Sequence, residues 1–267
     1  MIPKVIHYCW FGHNKKSDFV KKCIESWSNV CPEYEIIEWN ENNFSIESSP
    51  LYVRQAYESK KWAFVSDYVR LKVIYDHGGI YLDTDVQLIR PLDSLLCNEA
   101  FFGFENNSYV ATGLGFGSVP KHPVLGEMLG EYNTISFKNS ENIYDLTPCP
   151  VRNTKILKKY GLLTTGITQL INSDILVLAP EYLCPVSYDT GKIKITDNTI
   201  SIHWYSGSWL TDEEHKKHED AQRIRRRNEQ VDYIIHIPNR IFRHLLGDKN
   251  YAALKRKAKK IKPNNRY

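Results

Sequence analysis

The 267-residue sequence contains no run approaching 18 apolar residues, so no transmembrane helix is expected. Its six cysteines (Cys9, Cys23, Cys31, Cys97, Cys149 and Cys184) include no C-x-x-C pair, which argues against a structural zinc site. Their scatter through apolar contexts points to reduced, mostly buried thiols. The glycine-rich stretch Thr112-Gly113-Leu114-Gly115-Phe116-Gly117 is neither G-x-G-x-x-G nor a P-loop, since no Lys-Ser/Thr follows. It reads either as a glycine-spaced strand or as a place where backbone approaches a bound molecule closely. The opening residues lack the basic and apolar regions of a secretory signal, so a cytoplasmic chain is expected. There is no internal repeat and no low-complexity segment.

At 42% hydrophobic and 25% charged residues, the composition is that of a globular chain with one large α/β domain or two small ones. The net charge of +4 is unevenly spread. Residues 1–210 hold 19 basic against 23 acidic side chains, and residues 211–267 hold 16 against 8. We therefore divide the chain into a body, 1–210, and a basic extension, 211–267. The extension is helical in pattern from about Glu213, with a break at Pro238. It interleaves Tyr233, Ile234, Ile235, Phe242, Leu245 and Leu246 with arginines and a closing run Lys255-Arg256-Lys257-Ala258-Lys259-Lys260. That mixture suits a helix lying on an anionic membrane surface, here the inner face of the plasma membrane. A solvated basic face and a nucleic-acid patch are rival readings. No nucleic-acid motif accompanies the charge, and no nucleic-acid partner is expected.

Along the body, Lys4 to Tyr8 reads as a strand. A helix follows, capped by Ser17 or Asp18 and carrying Phe19, Cys23, Ile24 and Trp27 on one stripe. Tyr34 to Trp39 reads as a second strand and Pro50 to Lys60 as a helix. The apolar period of residues 62–77 gives another helix, with Gly78 as its C-cap. Phe101 to Phe104, the region near Gly115, Ile175 to Leu178 and Ile200 to Trp204 read as strands. Pro123 to Tyr132 reads as a helix, and the Pro148-Cys149-Pro150 break precedes one starting near Asn153. This alternation argues for a βαβ-type sheet with helices on its faces.

The most informative stretch is Gly78-Gly79-Ile80-Tyr81-Leu82-Asp83-Thr84-Asp85. Two carboxylates two residues apart on a strand face one side, and a divalent cation compensates their repulsion. Oxygen ligands suit Mg²⁺ or Mn²⁺, ions that commonly also hold substrate phosphates. Two solvated aspartates in a turn would satisfy the same letters. An EF-hand loop starting at Asp83 would put Leu88 at its glycine position and Ser94 at its glutamate position, which excludes that form. Upstream, Asp67 and Arg70 are i,i+3 neighbours on the helix, which alone reads as a surface ion pair.

Taken together, Ser66-Asp67-Tyr68-Val69-Arg70 and the Gly78–Asp85 stretch resemble the central motif of DXD sugar transferases, in particular glycosyltransferase family 32. They are also similar to the glucosylating domains of large bacterial toxins. The opening Ile2-Pro3-Lys4-Val5-Ile6-His7-Tyr8-Cys9-Trp10-Phe11-Gly12 resembles the family's first strand, and His203-Trp204-Tyr205-Ser206-Gly207-Ser208-Trp209 resembles its C-terminal motif.

The resemblance implies a GT-A-like, Rossmann-type nucleotide-binding sheet flanked by helices. It implies a retaining hexosyltransferase that uses Mn²⁺ or Mg²⁺ with a nucleotide-sugar donor, a UDP-sugar first. The acceptor would be a glycan or lipid-linked oligosaccharide of surface polysaccharide synthesis, such as capsule or lipopolysaccharide. Asp85 and Asp83 would bind the metal, and His203 is the third ligand considered, against a plain hydrogen-bonding role. Asp67 and Arg70 would contact donor sugar hydroxyls. Trp10 would stack on the nucleobase, Tyr81 pack near the ribose, and the Trp209 indole N–H bond a phosphate oxygen. For Trp10, Tyr81 and Trp209, core packing is the alternative. No catalytic base is assigned. A non-catalytic metal or carbohydrate binder using the same aspartates is the competing function.

Overall fold

The computed structural model of the chain describes residues 1–207, 213, 216, 217 and 219–225. The chain divides into two units, Met1–Leu210 and Thr211–Tyr267. The first runs β1 (Val5–Cys9), α1 (Asp18–Val30), β2 (Glu35–Trp39), α2 (Leu51–Glu58), α3 (Trp62–His77), β3 (Gly79–Tyr81), β4 (Val86–Leu88), β5 (Ala100–Gly103) and β6 (Phe116–Ser118). It continues α4 (Pro123–Tyr132), α5 (Cys149–Lys159), β7 (Gln169–Ile171), β8 (Ile175–Leu178), α6 (Pro180–Leu183) and β9 (Ser201–His203). In the second unit the described residues are helical, with Lys217 Nζ 2.7 Å from Glu213 Oε1. The break at Pro238, the basic run 255–260 and Trp209 lie outside the described residues.

Seven strands form one sheet in the order β2-β1-β3-β6-β5-β8-β7. β1 lies parallel to β2 and to β3, giving the βαβ-type half expected from the alternation. Beyond β3 the sheet is mixed. β3 and β5 both run antiparallel to β6, β5 runs parallel to β8, and β7 antiparallel to β8. Residues 104–115, which join β5 to β6, hold an isolated antiparallel bridge between Phe104 and Val110 and a 3₁₀ turn at Thr112–Leu114.

Strand periodicity divides the core in two. Ile6, Tyr8, Ile80 and Phe101 turn to one face and pack with Trp27. Tyr81, Phe102 and Phe116 turn to the other, against α2 to α5. The α1 stripe is Val20, Cys23 and Trp27, at i, i+3 and i+7. Phe19, predicted on that stripe, falls beside it, is 41% exposed, and meets Trp204 edge-on. Ile24 is only partly buried. Trp27 is fully buried and donates its indole N–H to the Val86 carbonyl at 2.8 Å, while the Leu88 N–H donates to Ser26 Oγ at 3.0 Å. Helix α1 thereby fixes the position of β4.

Two other boundaries are informative. α3 covers the predicted span and ends at Gly78, whose φ of +70° and close approach to Pro120 leave no room for a β-carbon. α5 begins at Cys149, four residues before the predicted start, because Pro150 sits in the first turn, where its missing N–H costs no hydrogen bond.

Candidate active site

β3 ends at Tyr81, and Asp83 and Asp85 lie in the turn that follows, closed by the Val86 N–H donating to the Asp83 carbonyl at 3.0 Å. The pair therefore does not share a strand face as predicted. A turn converges the two carboxylates instead. β4 starts immediately afterwards and pairs antiparallel with β9, setting Val86 opposite His203. His203 Nε2 consequently lies 3.3 Å from Asp85 Oδ1. Ligand atoms of Asp83, Asp85 and His203 all lie within 4.8 Å of one another.

Each carboxylate is held. Asp85 is 9% exposed, and its Oδ2 accepts from the Ser206 N–H at 2.8 Å and the Ser206 hydroxyl at 3.1 Å. Burial alone would raise its pKa, but His203 and the Ser206 hydrogen bonds prevail and hold it well below the usual carboxylate range. Asp83 Oδ1 accepts from the Tyr81 hydroxyl at 2.8 Å and faces Arg70 at 3.3 Å. Burial raises the Asp83 pKa, opposed by Arg70 and reinforced by Asp85. A β-carbon on Gly113 would come within 2.4 Å of Asp83 Oδ2, so only glycine leaves that oxygen its place.

The predicted surface pair of Asp67 and Arg70 is buried. Arg70 is 4% and Asp67 8% exposed, because α3 packs this face against the sheet. Arg70 lies 3.2 Å from Asp67 Oδ1, also reaches Asp83, donates its Nε–H to the Ser66 carbonyl at 3.1 Å, and lies over the Tyr81 ring. One guanidinium thus ties the helix motif to the aspartate turn. Burial raises the Asp67 pKa, and Arg70 opposes it.

Tyr81 is 1% exposed and orients Asp83 from beneath. The structure brings together Asp67, Arg70, Tyr81, Asp83, Asp85 and His203. Half-buried Trp10 follows β1 and spends its polar contacts elsewhere: its indole N–H donates to the Asn14 carbonyl at 2.7 Å, and Lys16 lies over its ring. Gly113, Gly115 and Gly117 make room for Asp83, Leu82 and Phe101 respectively, so the glycine-rich stretch accommodates the chain's own side chains. The sequence reading missed Gly113 and Ser206 as supports of the pair. Both sit inside stretches it singled out, but their role depends on contacts across the fold.

The three side chains fit a divalent ion. Two anionic oxygens and an imidazole nitrogen converge, and His203 Nδ1 is buried without a hydrogen-bond partner. An oxygen-rich set with one imidazole suits Mn²⁺ better than Mg²⁺. A second group, Glu99, His122 and Asp174, has a different character. His122 Nδ1 accepts from the Val124 N–H at the start of α4, which leaves the proton on Nε2, 3.5 Å from Asp174 Oδ2. That nitrogen presents a proton and has no lone pair to offer an ion.

Residues 17–102 match the family described as "Glycosyltransferase sugar-binding region containing DXD motif". The chain is 30% identical over 143 residues to inositol phosphoceramide mannosyltransferase 3 of Schizosaccharomyces pombe, covering 51% of this chain and 38% of that protein. It is 30% identical over 154 residues to human alpha-1,4-N-acetylglucosaminyltransferase, covering 54% and 42%. The matched stretch thus spans about two fifths of these relatives. Among solved structures, the PaToxG glycosyltransferase is similar at 19% identity and a TM-score of 0.45, covering 59% of this chain and 68% of that one. The galactosyltransferase LgtC, solved with donor and acceptor sugar analogues, gives 15% identity and 0.42, covering 78% and 90%.

Proposed function

We propose that this chain, whose residues 17–102 carry the DXD sugar-binding region of glycosyltransferases, is a metal-dependent hexosyltransferase using a nucleotide-sugar donor, a UDP-sugar first. The observation that carries the reading is the convergence of Asp83 and Asp85, in the turn before β4, with His203 on β9, distant in sequence. Asp83, Asp85 and His203 would hold Mn²⁺ or Mg²⁺, which when bound neutralises the charge that grows on the departing diphosphate. Tyr81 and Arg70 orient Asp83, and Ser206 orients Asp85, so the carboxylates are in place before donor arrives. Arg70 also carries positive charge beside Asp67, where donor hydroxyls are proposed to bind.

Retention of anomeric configuration belongs to the proposal through the family resemblance, as does a glycan or lipid-linked acceptor. Relatives named as mannosyl- and N-acetylglucosaminyltransferases leave the sugar to be found by screening. A peripheral place on the cytoplasmic face of a membrane, through 211–267, is proposed from charge alone. No helix among the described residues is long and apolar enough to cross a membrane. The test is a panel of nucleotide sugars with the full chain and Mn²⁺, reading release of nucleoside diphosphate. Turnover of one donor that stops on chelation supports the proposal. Binding without turnover across donors and acceptors favours a non-catalytic carbohydrate binder.

A further inference from the structure

β4 and β9 pair over three residues, Val86 with His203, Gln87 with Ile202 and Leu88 with Ser201, in a two-stranded sheet separate from the main one. The Trp204 N–H, donating to the Asp85 carbonyl at 3.1 Å, continues that register into the ion site. So short a ladder is marginal by itself. A slip of one residue would turn His203 to the opposite face, away from Asp85. The register is held at the far end of the ladder. There the Ile89 and Arg90 N–H groups both donate to the Ile200 carbonyl, at 2.9 and 3.1 Å. Two residues opposite one is the pattern of a β-bulge, a feature that pins register. The half-buried Arg90 side chain adds a second hold: its Nη1 donates to the Thr196 carbonyl at 3.2 Å and also to the Thr199 carbonyl. Both carbonyls belong to one closed turn. The Thr199 N–H donates to the Thr196 carbonyl at 3.1 Å, and the Thr196 N–H to Thr199 Oγ1 at 2.9 Å. Thr199 is fully buried, and the chain leaving this turn enters β9 two residues later. One guanidinium, just past the strand that follows the aspartates, thus grips the turn that feeds His203 into place.

We propose that Arg90 is a positioning residue of the ion site: its bulge opposite Ile200 and its grip on the Thr196 and Thr199 carbonyls fix the β4–β9 register that sets His203 beside Asp85. Arginine suits the task, because its planar fork carries several N–H donors and serves two carbonyls without a carboxylate partner. Losing a residue that orients a metal ligand costs about 10–100-fold in metal affinity. The inference rests on the proposed ion site and extends it to a residue with no contact to the ion.

The test is binding of Mn²⁺ alone to the full chain, with no nucleotide present, read by electron paramagnetic resonance. The free-ion signal gives the affinity, and spin-echo modulation of the bound ion shows whether an imidazole nitrogen is coordinated. The wild-type chain should show nitrogen modulation that His203→Gln removes. Arg90→Met is expected to weaken Mn²⁺ binding by about 10-fold and to diminish the nitrogen modulation, the residual ion being held by Asp83 and Asp85. Arg90→Lys should recover part of both, and carries the test if Arg90→Met does not fold. Leu157→Ala truncates a fully buried side chain in the other half of the core, so it should lower the melting temperature and leave both readings unchanged. Wild-type affinity and modulation in the Arg90 variants overturn the proposal while leaving the ion site standing. An equal loss in Leu157→Ala assigns the effect to stability alone and overturns it too. Failure of the wild-type chain to bind Mn²⁺, or binding without nitrogen modulation, overturns the three-ligand ion site and this inference with it.

Discussion

Val86 and His203 are register partners across the β4–β9 pair, and this single pairing sets His203 beside Asp85. Nothing local to either segment would bring them together. Trp27 and Ser26 hold β4 from the α1 side, so the packing of the first helix contributes directly to the geometry of the site.

Asp85→Asn should keep the fold and lose at least about 100-fold in metal-stimulated donor turnover. The amide keeps the shape but loses the charge. Circular dichroism checks the first part and donor hydrolysis with and without Mn²⁺ the second.

Gly113→Ala should weaken Mn²⁺ affinity by about 10-fold with little change in the folded state, because the new methyl displaces Asp83 Oδ2. Calorimetric titration with Mn²⁺ reads the effect. Unchanged affinity would show that this oxygen does not reach the ion.

Arg70→Met should destabilise the chain by about 3–5 kcal/mol in urea unfolding, because it leaves Asp67 and Asp83 buried without their cation. Arg70→Lys should recover only part, since a point charge cannot reach both carboxylates and the Ser66 carbonyl as the planar fork does.

The metal-free chain should lose stability as pH rises above about 6.5. Burial lowers the His203 pKa, but Asp85 outweighs burial and leaves it above its ordinary value of 6.5. A group with a raised folded pKa contributes stability that is full below its unfolded value and is lost as pH rises through the folded one. Thermal melts across this range should show the slope in wild type and its absence in His203→Asn.

Much of the body was readable in the sequence because local signals sufficed. The 62–77 period and Gly78 define α3, the Ser17 side chain accepts from Val20 N–H at the start of α1, and Pro123 opens α4. The short strands β4 and β7 and the four-residue α6 carry too few residues for a period to register. At the site, Asp67, Arg70, Asp83, Asp85 and His203 were found by motif. The burial of Arg70 and the supporting roles of Gly113 and Ser206 were not legible, because each depends on a contact between segments far apart in the chain.

Replacing Lys255, Arg256, Lys257, Lys259 and Lys260 by glutamine in the full chain should reduce co-sedimentation with phosphatidylserine vesicles. Each cation near an anionic surface contributes about 1 kcal/mol. Equal co-sedimentation would remove the membrane role proposed for 211–267.

If Asp83, Asp85 and His203 hold a divalent ion that grips a nucleoside diphosphate, anomalous diffraction from crystals soaked in Mn²⁺ and UDP tests it most directly. One strong peak is expected, coordinated by those three side chains and by diphosphate oxygens. UDP bound elsewhere, or a peak seated instead at Glu99 and Asp174, would contradict it.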